Sequence, residues 1–151
     1  MELTPYYQLV EQAIYELGLN PADCRGEQQG SWNLRKGSAT VYVNILPLAE
    51  QDGTVGCYFA CSSPVVDLYA IQPSERLFKE LLQINALLHG GIAFSILNDF
   101  VYLGYIREVR GLDLEEVLAT FDRIGNYTDY YDDVLKKQYG VIRSERPFSY
   151  N

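Results

Sequence analysis

The chain has 151 residues, the length of one domain, and 48% of them are hydrophobic, which is enough for a packed core. Twenty acidic and twelve basic residues give a net charge of -8, which disfavours binding to nucleic acid or to an anionic membrane. The first residues, Met1 to Pro5, contain no basic region or apolar stretch of the kind found in export signals, so we expect a cytoplasmic protein. Cys24, Cys57 and Cys61 lack a CxxC spacing, which indicates free thiols.

The first predicted element is a helix from about Pro5 to Leu17. Thr4 suits the capping position, Pro5 suits the first turn, and apolar residues recur at helical spacing. Gly18 is expected to end this helix, and Pro21 to prevent it from resuming.

Two strands are predicted next, at residues 31–35 and 39–45, joined by a tight turn at Lys36-Gly37. Apolar and polar residues alternate along the second of them, as in a strand with one buried face. Pro47 is expected to close it.

A hairpin signal at Asp52-Gly53 introduces a third strand over residues 55–61. This strand alternates in the same way, and Pro64 is expected to end it. The following connection, residues 64–72, has no clear assignment.

A second helix is predicted from about Pro73 to Leu88, followed by strands at residues 92–97 and 100–106. Asn98-Asp99 joins these strands, and both residues tolerate the left-handed backbone that a short hairpin needs.

The third predicted helix has the clearest beginning. Asp113 and Glu116 have the spacing of a capping box, and Leu112 and Val117 occupy the hydrophobic-staple positions. An apolar stripe continues to about Gln138.

The element order is therefore α-βββ-α-ββ-α, an α+β fold. Short turns imply antiparallel pairing, and we expect the helices to cover one face of the sheet. We expect residues 1–140 to form a single domain and residues 141–151 to form a loose tail.

Several segments resemble the YbjN family, which is similar in fold to the type III secretion chaperones. The resemblance covers roughly residues 5 to 139 and is carried mostly by packing and turn residues. These segments are Trp32-Asn33-Leu34, residues 37–43 (GSATVYV), residues 81–90 (LLQINALLHG), residues 94–103 (FSILNDFVYL) and Gly111-Leu112-Asp113.

The resemblance implies a five-stranded antiparallel sheet with three helices in a bacterial protein that is often dimeric. It also implies a protein-binding or regulatory role, and it provides no catalytic residues. A shared fold does not by itself establish that the chain escorts secreted proteins.

The residues themselves indicate no enzyme active site and no cofactor. The single histidine, His89, is expected at a helix C-terminus, where it would contact the last carbonyls. No serine or cysteine lies in a nucleophile motif, and no glycine-rich phosphate loop occurs.

An acidic cluster on the third helix is the best candidate for a metal site. Asp129, Asp132 and Asp133 share one helical face, but calcium takes six to eight oxygens, more than a straight helix supplies. Asp132 and Asp133 also precede Lys136 and Lys137 by four residues. We therefore expect ordinary ion pairs and no metal site.

Thirteen tyrosines are unusual in a chain of this length. The alternation of the strands places Tyr42, Tyr58 and Tyr102 on the sheet face away from the helices. Such rings either bind a partner or stabilise the sheet by cross-strand pairing.

These observations favour a non-enzymatic protein-binding domain with a chaperone-like or regulatory role, acting as a homodimer on another protein. The homodimer is expected from the resemblance and from the width of the apolar surface of helix 73–88, which carries Phe78 and Leu82 beside its main stripe. The alternative is a sensor domain that binds a small ligand or a divalent cation, for which a deep closed pocket lined with polar groups is expected.

Overall fold

The computed structural model describes residues 2–71 and 75–140, which form four helices and five strands. In chain order these are α1 (Thr4–Glu16), α2 (Pro21–Cys24), β1 (Ser31–Lys36), β2 (Ala39–Ala49), β3 (Val55–Asp67), α3 (Glu75–Asn85), β4 (Ala93–Leu97), β5 (Phe100–Glu108) and α4 (Leu114–Tyr139). None of the helices in this described part is long and apolar enough to cross a membrane. Residues 141–151, the predicted tail, lie outside the described residues.

The five strands form one antiparallel sheet in the order β1-β2-β3-β5-β4. The predicted α+β class and five-stranded antiparallel sheet are therefore confirmed. The longest strand, β3, lies at the centre, while β1 and β4 form the two edges.

One face of the sheet is covered by α4, which packs across β2, β3 and β5. Phe59 of β3 and Phe121 of α4 are almost completely buried, and their ring centroids lie 6.4 Å apart. Val41, Val43 and Ile45 of β2 are buried as the alternation predicts. Val55, which the alternation of β3 predicts to be buried, is 67% exposed because it lies beside the turn of the β2–β3 hairpin, at the end of the strand.

The helix count of three was wrong because Pro21 begins a helix instead of preventing one. Pro21 is the first residue of α2, where its missing N–H costs nothing, and the Asn20 side chain accepts a hydrogen bond from the Ala22 N–H. Gly18 adopts a positive φ of 78° just past the end of α1, as expected. Thr4 does not cap α1, which has Leu3 at its N-cap and no side-chain capping bond.

The strands β2 and β3 both continue through a proline that was expected to end them. The Ile45 N–H bonds to the Gly30 carbonyl on the β1 side of β2, so Pro47, two residues later, faces the same side beyond the end of β1. In β3, Pro64 lies at a bulge, and the Ser63 hydroxyl bonds to the Thr40 carbonyl in place of the backbone ladder.

The second predicted helix is shorter at its end than expected. α3 ends at Asn85 rather than Leu88, so His89 lies four residues beyond it in an exposed turn and does not contact the last helical carbonyls. The predicted start at Pro73 lies outside the described residues. Asn98 and Asp99 have φ angles of 49° and 62°, which confirms the predicted left-handed hairpin turn.

The beginning of α4 has half of the predicted capping box. The Asp113 carboxylate accepts the Glu116 N–H at 2.8 Å, but the Glu116 side chain turns to Arg107 and Tyr105 instead of the cap. Leu112 and Val117 are both buried, as the staple predicts.

We expect Asp113→Ala to lower the free energy of unfolding by about 1 kcal/mol, because it removes the N-cap of the helix that covers the sheet. Urea denaturation followed by circular dichroism measures this loss. Glu115→Ala, an exposed change in the same helical turn, is the control and should cost only a few tenths of a kcal/mol. Equal losses in the two variants would contradict the capping role.

Candidate functional site

The sheet face turned away from α4, called the outer face here, carries the three predicted tyrosines. Because Val41, Phe59 and Val101 face the helices, the alternate side chains Tyr42, Tyr58 and Tyr102 point the other way. All three are half-buried rather than fully exposed.

The sheet register brings two of the three tyrosines together. Tyr42 pairs with Ser62, Ser62 pairs with Gly104, and Tyr102 pairs with Pro64, so Tyr42 and Tyr102 flank the same stretch of β3. Tyr58 lies four residues before Ser62 on that strand, about 13 Å away. The outer face therefore has one tyrosine pair and one separate tyrosine.

Two glycines on the outer face accommodate tyrosine rings. A Cβ at Gly104 would lie 2.8 Å from Cε2 of Tyr102, and a Cβ at Gly56 would lie 2.7 Å from Cε2 of Tyr58. Each ring therefore lies along its own strand against a residue without a side chain. This contact lies within one strand and holds each ring in place, and it differs from the cross-strand pairing that was one of the two predicted roles.

The centre of the outer face, at Ala60 and Ser62, is shielded from solvent by the surrounding side chains. Ala60 and Ser62 are 0% exposed although they lie on the face that α4 does not cover. The Ser62 hydroxyl has no hydrogen-bond partner among the described residues. Ile106, which pairs with Ala60, is 52% exposed and is the apolar side chain of this face that is most open to solvent.

The hydroxyl of Tyr58 donates a hydrogen bond to the Glu50 carboxylate. This bond stabilises the protonated phenol and, with the nearby negative charge of Glu108, raises the pKa of Tyr58 to about 12. Tyr58 is therefore neutral at physiological pH. Its ring is held against Gly56 and its hydroxyl is held by Glu50.

A second surface lies where α3 meets the edge strand β4, and we call it the α3/β4 groove. It has a volume of about 250 Å³. It is lined mainly by apolar side chains: Phe78, Leu81, Leu82, Asn85, Phe94, Ser95 and Ile96. Leu82 is 69% exposed and Ile96 is 50% exposed, so the groove offers apolar area to a partner.

The floor of this groove is connected to the long helix α4. The rings of Phe94 and Tyr131 meet edge to face, with centroids 5.2 Å apart and planes at 79°. Because α4 packs on the sheet, this contact holds the groove in a fixed position relative to the core.

Two of the three aspartates of the acidic cluster interact with protein groups, while the predicted ion pair of Asp133 with Lys137 is not among the ion pairs of the described residues. Asp129 accepts a hydrogen bond from the Ser38 hydroxyl at 2.7 Å, and Asp132 forms an ion pair with Lys136, as predicted. Within residues 2–71 and 75–140, no group of three or more histidine, cysteine or acidic residues is placed to hold a metal ion. All three cysteines are free thiols, as predicted.

A hollow of about 600 Å³ lies at the opposite end of the sheet from α3. It is open to solvent, and its charged lining comes from Glu50, Asp52, Glu108 and Arg110. It is not the deep closed pocket that the sensor alternative requires.

Sequence reasoning found the tyrosines but missed the residues that position them. Gly56 and Gly104 interrupt the strand pattern, and an isolated glycine inside a strand is the signal for a close approach by another group. The spacing of Asn85 groups it with the apolar face of the helix. It does not predict the hydrogen bonds of its side chain to the backbone of Phe94.

The fold is similar to solved structures of secretion proteins, while no protein-family model and no curated protein matches the sequence. A chain in the crystal structure of the ExsC–ExsE complex is 18% identical, with a TM-score of 0.65 over 89% of this chain and 97% of that chain. A chain in the ExoU–SpcU complex from the type III secretion system of Pseudomonas aeruginosa is 13% identical, with a TM-score of 0.58 and coverages of 84% and 98%. A chain in the HopA1–SchA chaperone–effector complex is 9% identical, with a TM-score of 0.60 and coverages of 88% and 98%.

The TM-scores establish a shared fold. The chain is an α+β domain with the architecture of type III secretion chaperones, and it spans nearly the whole length of each chain that it resembles.

We expect Glu50→Gln to lower the pKa of Tyr58 from about 12 towards 10, because it removes the negative charge that favours the protonated phenol. Tyrosine ring carbon chemical shifts measured by NMR between pH 8 and 13 report this change. Asp52→Asn is the control, since Asp52 accepts from Thr54 rather than from Tyr58. An unchanged Tyr58 titration in Glu50→Gln would exclude this hydrogen bond in solution.

Proposed function

We propose that this chain is a non-enzymatic, chaperone-like domain that binds another protein and works as a homodimer. The observation that carries the proposal is the fold, which is shared over 84% and 88% of this chain with proteins solved in complexes, one of them a chaperone–effector complex. The open hollows and the lack of a metal cluster in residues 2–71 and 75–140 give less support to a small-ligand or cation sensor.

The α3/β4 groove is the proposed contact with the second copy. A net charge of -8 makes two copies repel each other at long range, so a contact between them needs an uncharged surface. Residues 81–98 contain no Asp, Glu, Lys or Arg, and α3 carries two acidic and two basic residues: Glu75, Arg76, Lys79 and Glu80. This surface is therefore neutral as well as apolar.

The outer face is the proposed contact with the bound protein, through Tyr42, Tyr58 and Tyr102. The rings of Tyr58 and Tyr102 already lie against glycines of their own strands, so binding costs little side-chain entropy at these two positions. A tyrosine at an interface provides a large apolar ring and a hydroxyl that stays hydrogen-bonded. The half-buried rings leave a smaller patch than a fully open face, which fits a contact with an extended segment.

Membership of the YbjN family stays a prediction that rests on the quoted segments. It would make the chain a bacterial cytoplasmic regulator, and it leaves the proposed protein-binding role unchanged.

We expect combined replacement of Tyr42, Tyr58 and Tyr102 by Ser to reduce capture of the bound protein roughly tenfold or more, because buried aromatic anchors dominate such contacts. The measurement is affinity purification from the native cell with quantitative mass spectrometry. Tyr15→Ser is the matched control, since Tyr15 is 72% exposed on α1, away from the outer face. Unchanged capture by a triple variant that still unfolds cooperatively would refute the outer face as the binding surface.

We expect the chain to sediment at micromolar concentration with about twice its mass of 17.2 kDa. Leu82→Glu should weaken this dimer roughly tenfold or more, since it brings two like charges together at an apolar contact. Val55→Glu, at an equally exposed position on the β2–β3 hairpin, is the control and should leave the dimer intact. A monomer at high concentration would rule out the homodimer.

A further inference from the structure

The exposed edge of β4 is closed at one point by a side chain. Asn85, the last residue of α3, donates from Nδ2 to the Phe94 carbonyl at 3.1 Å and accepts from the Phe94 N–H at its Oδ1 at 2.6 Å. These are the two hydrogen bonds that an added strand would make with Phe94. The carboxamide of Asn85 therefore takes the place of a neighbouring strand.

The geometry of β4 makes Phe94 the central position of this edge. Phe94 directs its N–H and C=O away from β5, and in an antiparallel strand the residues two positions apart face the same side. Ile96 therefore faces outward as well, while Ser95 between them faces β5. With Phe94 occupied, an incoming strand would find only Ile96 free within this five-residue strand.

Nothing else in the composition of β4 protects it. Its sequence, AFSIL, has no charge and no proline, the usual devices that prevent edge strands from pairing with other chains. Ile96 adds an apolar side chain that is half exposed. An uncharged apolar edge of this kind is a template for sheet extension unless its backbone groups are occupied.

We propose that Asn85 reserves the α3/β4 groove for side-chain contact with α3 of a second copy by preventing strand addition at β4. The occupant is taken from the proposed homodimer, on which this inference rests. Phe78 and Leu82 are one helical turn apart and project beside the groove, so a two-fold axis would place the α3 ridge of each copy in the groove of the other. Pairing of β4 with β4 of another copy would instead join the two sheets through their backbones and leave the α3 ridges unpaired.

The test uses Asn85→Ala and the same-sized Asn85→Asp, which lacks the N–H donor, with Gln83→Ala as the control. Gln83 is an exposed amide on the same helix that is not bonded to β4. In dilute Asn85→Ala, hydrogen exchange of the Phe94 amide should become roughly fivefold faster, because the lost bond is worth about 1 kcal/mol. At high concentration Asn85→Ala should form assemblies with infrared bands of intermolecular β-sheet, whereas Asn85→Asp, whose carboxylate still accepts the Phe94 N–H and adds a charge at the edge, should not.

Adding Ile96→Pro to Asn85→Ala should remove these assemblies, because proline lacks the outward N–H that a new strand would need. Faster Phe94 exchange in Asn85→Ala without intermolecular β-sheet would overturn the role of Asn85 in protecting the edge, and so would unchanged exchange. A monomeric wild type with an assembling Asn85→Ala variant would reject the homodimer while supporting the edge protection. The homodimer and the edge protection by Asn85 are therefore refuted by different measurements.

Discussion

The packing of α4 against the central strand is the contact on which the rest of the molecule depends. Phe59 and Phe121 meet at the middle of that contact, and the surrounding core residues of β2 and β5 face the same helix. Covering one face of an antiparallel sheet leaves the opposite face and the two edges to be managed by other means. The surfaces proposed for recognition are these remaining parts of the sheet.

Much of the fold could be predicted because each strand has one buried face. Alternation identified β2 and β3, and Asn98-Asp99 identified the β4–β5 hairpin from the left-handed tolerance of its residues. The prolines were misread because their effect depends on tertiary context. Pro47 is tolerated where β1 has already ended, and Pro64 where a bulge interrupts the ladder, and neither circumstance is visible in the local sequence.

The candidate site was predictable in its phase but not in its packing. The alternation placed Tyr42, Tyr58 and Tyr102 on one face. The distance between Tyr58 and the other two tyrosines depends on the register of the strands, which alternation does not give. The rings lie against Gly56 and Gly104, a contact between residues two apart on one strand that only the side-chain conformations reveal. Asn85 is the clearest case, since its bonds to Phe94 depend on where α3 ends relative to β4.

The two edges of the sheet are protected by different kinds of contact. At β1, the Gly26 N–H bonds to the Ser31 carbonyl, and a bridge between Arg25 and Trp32 covers the same end, so the chain's own backbone occupies part of the edge. Arg35 and Lys36 then add charge at the other end of that strand, which discourages pairing with another chain. At β4 the backbone contact is replaced by a single carboxamide, and charge is absent. This difference leaves β4 apolar enough for a neutral contact with another copy, while its hydrogen-bonding groups stay unavailable to a strand. An interface that must exclude water needs an apolar strand. A dimer that adds no further copies needs an edge whose hydrogen-bonding groups are unavailable to another strand.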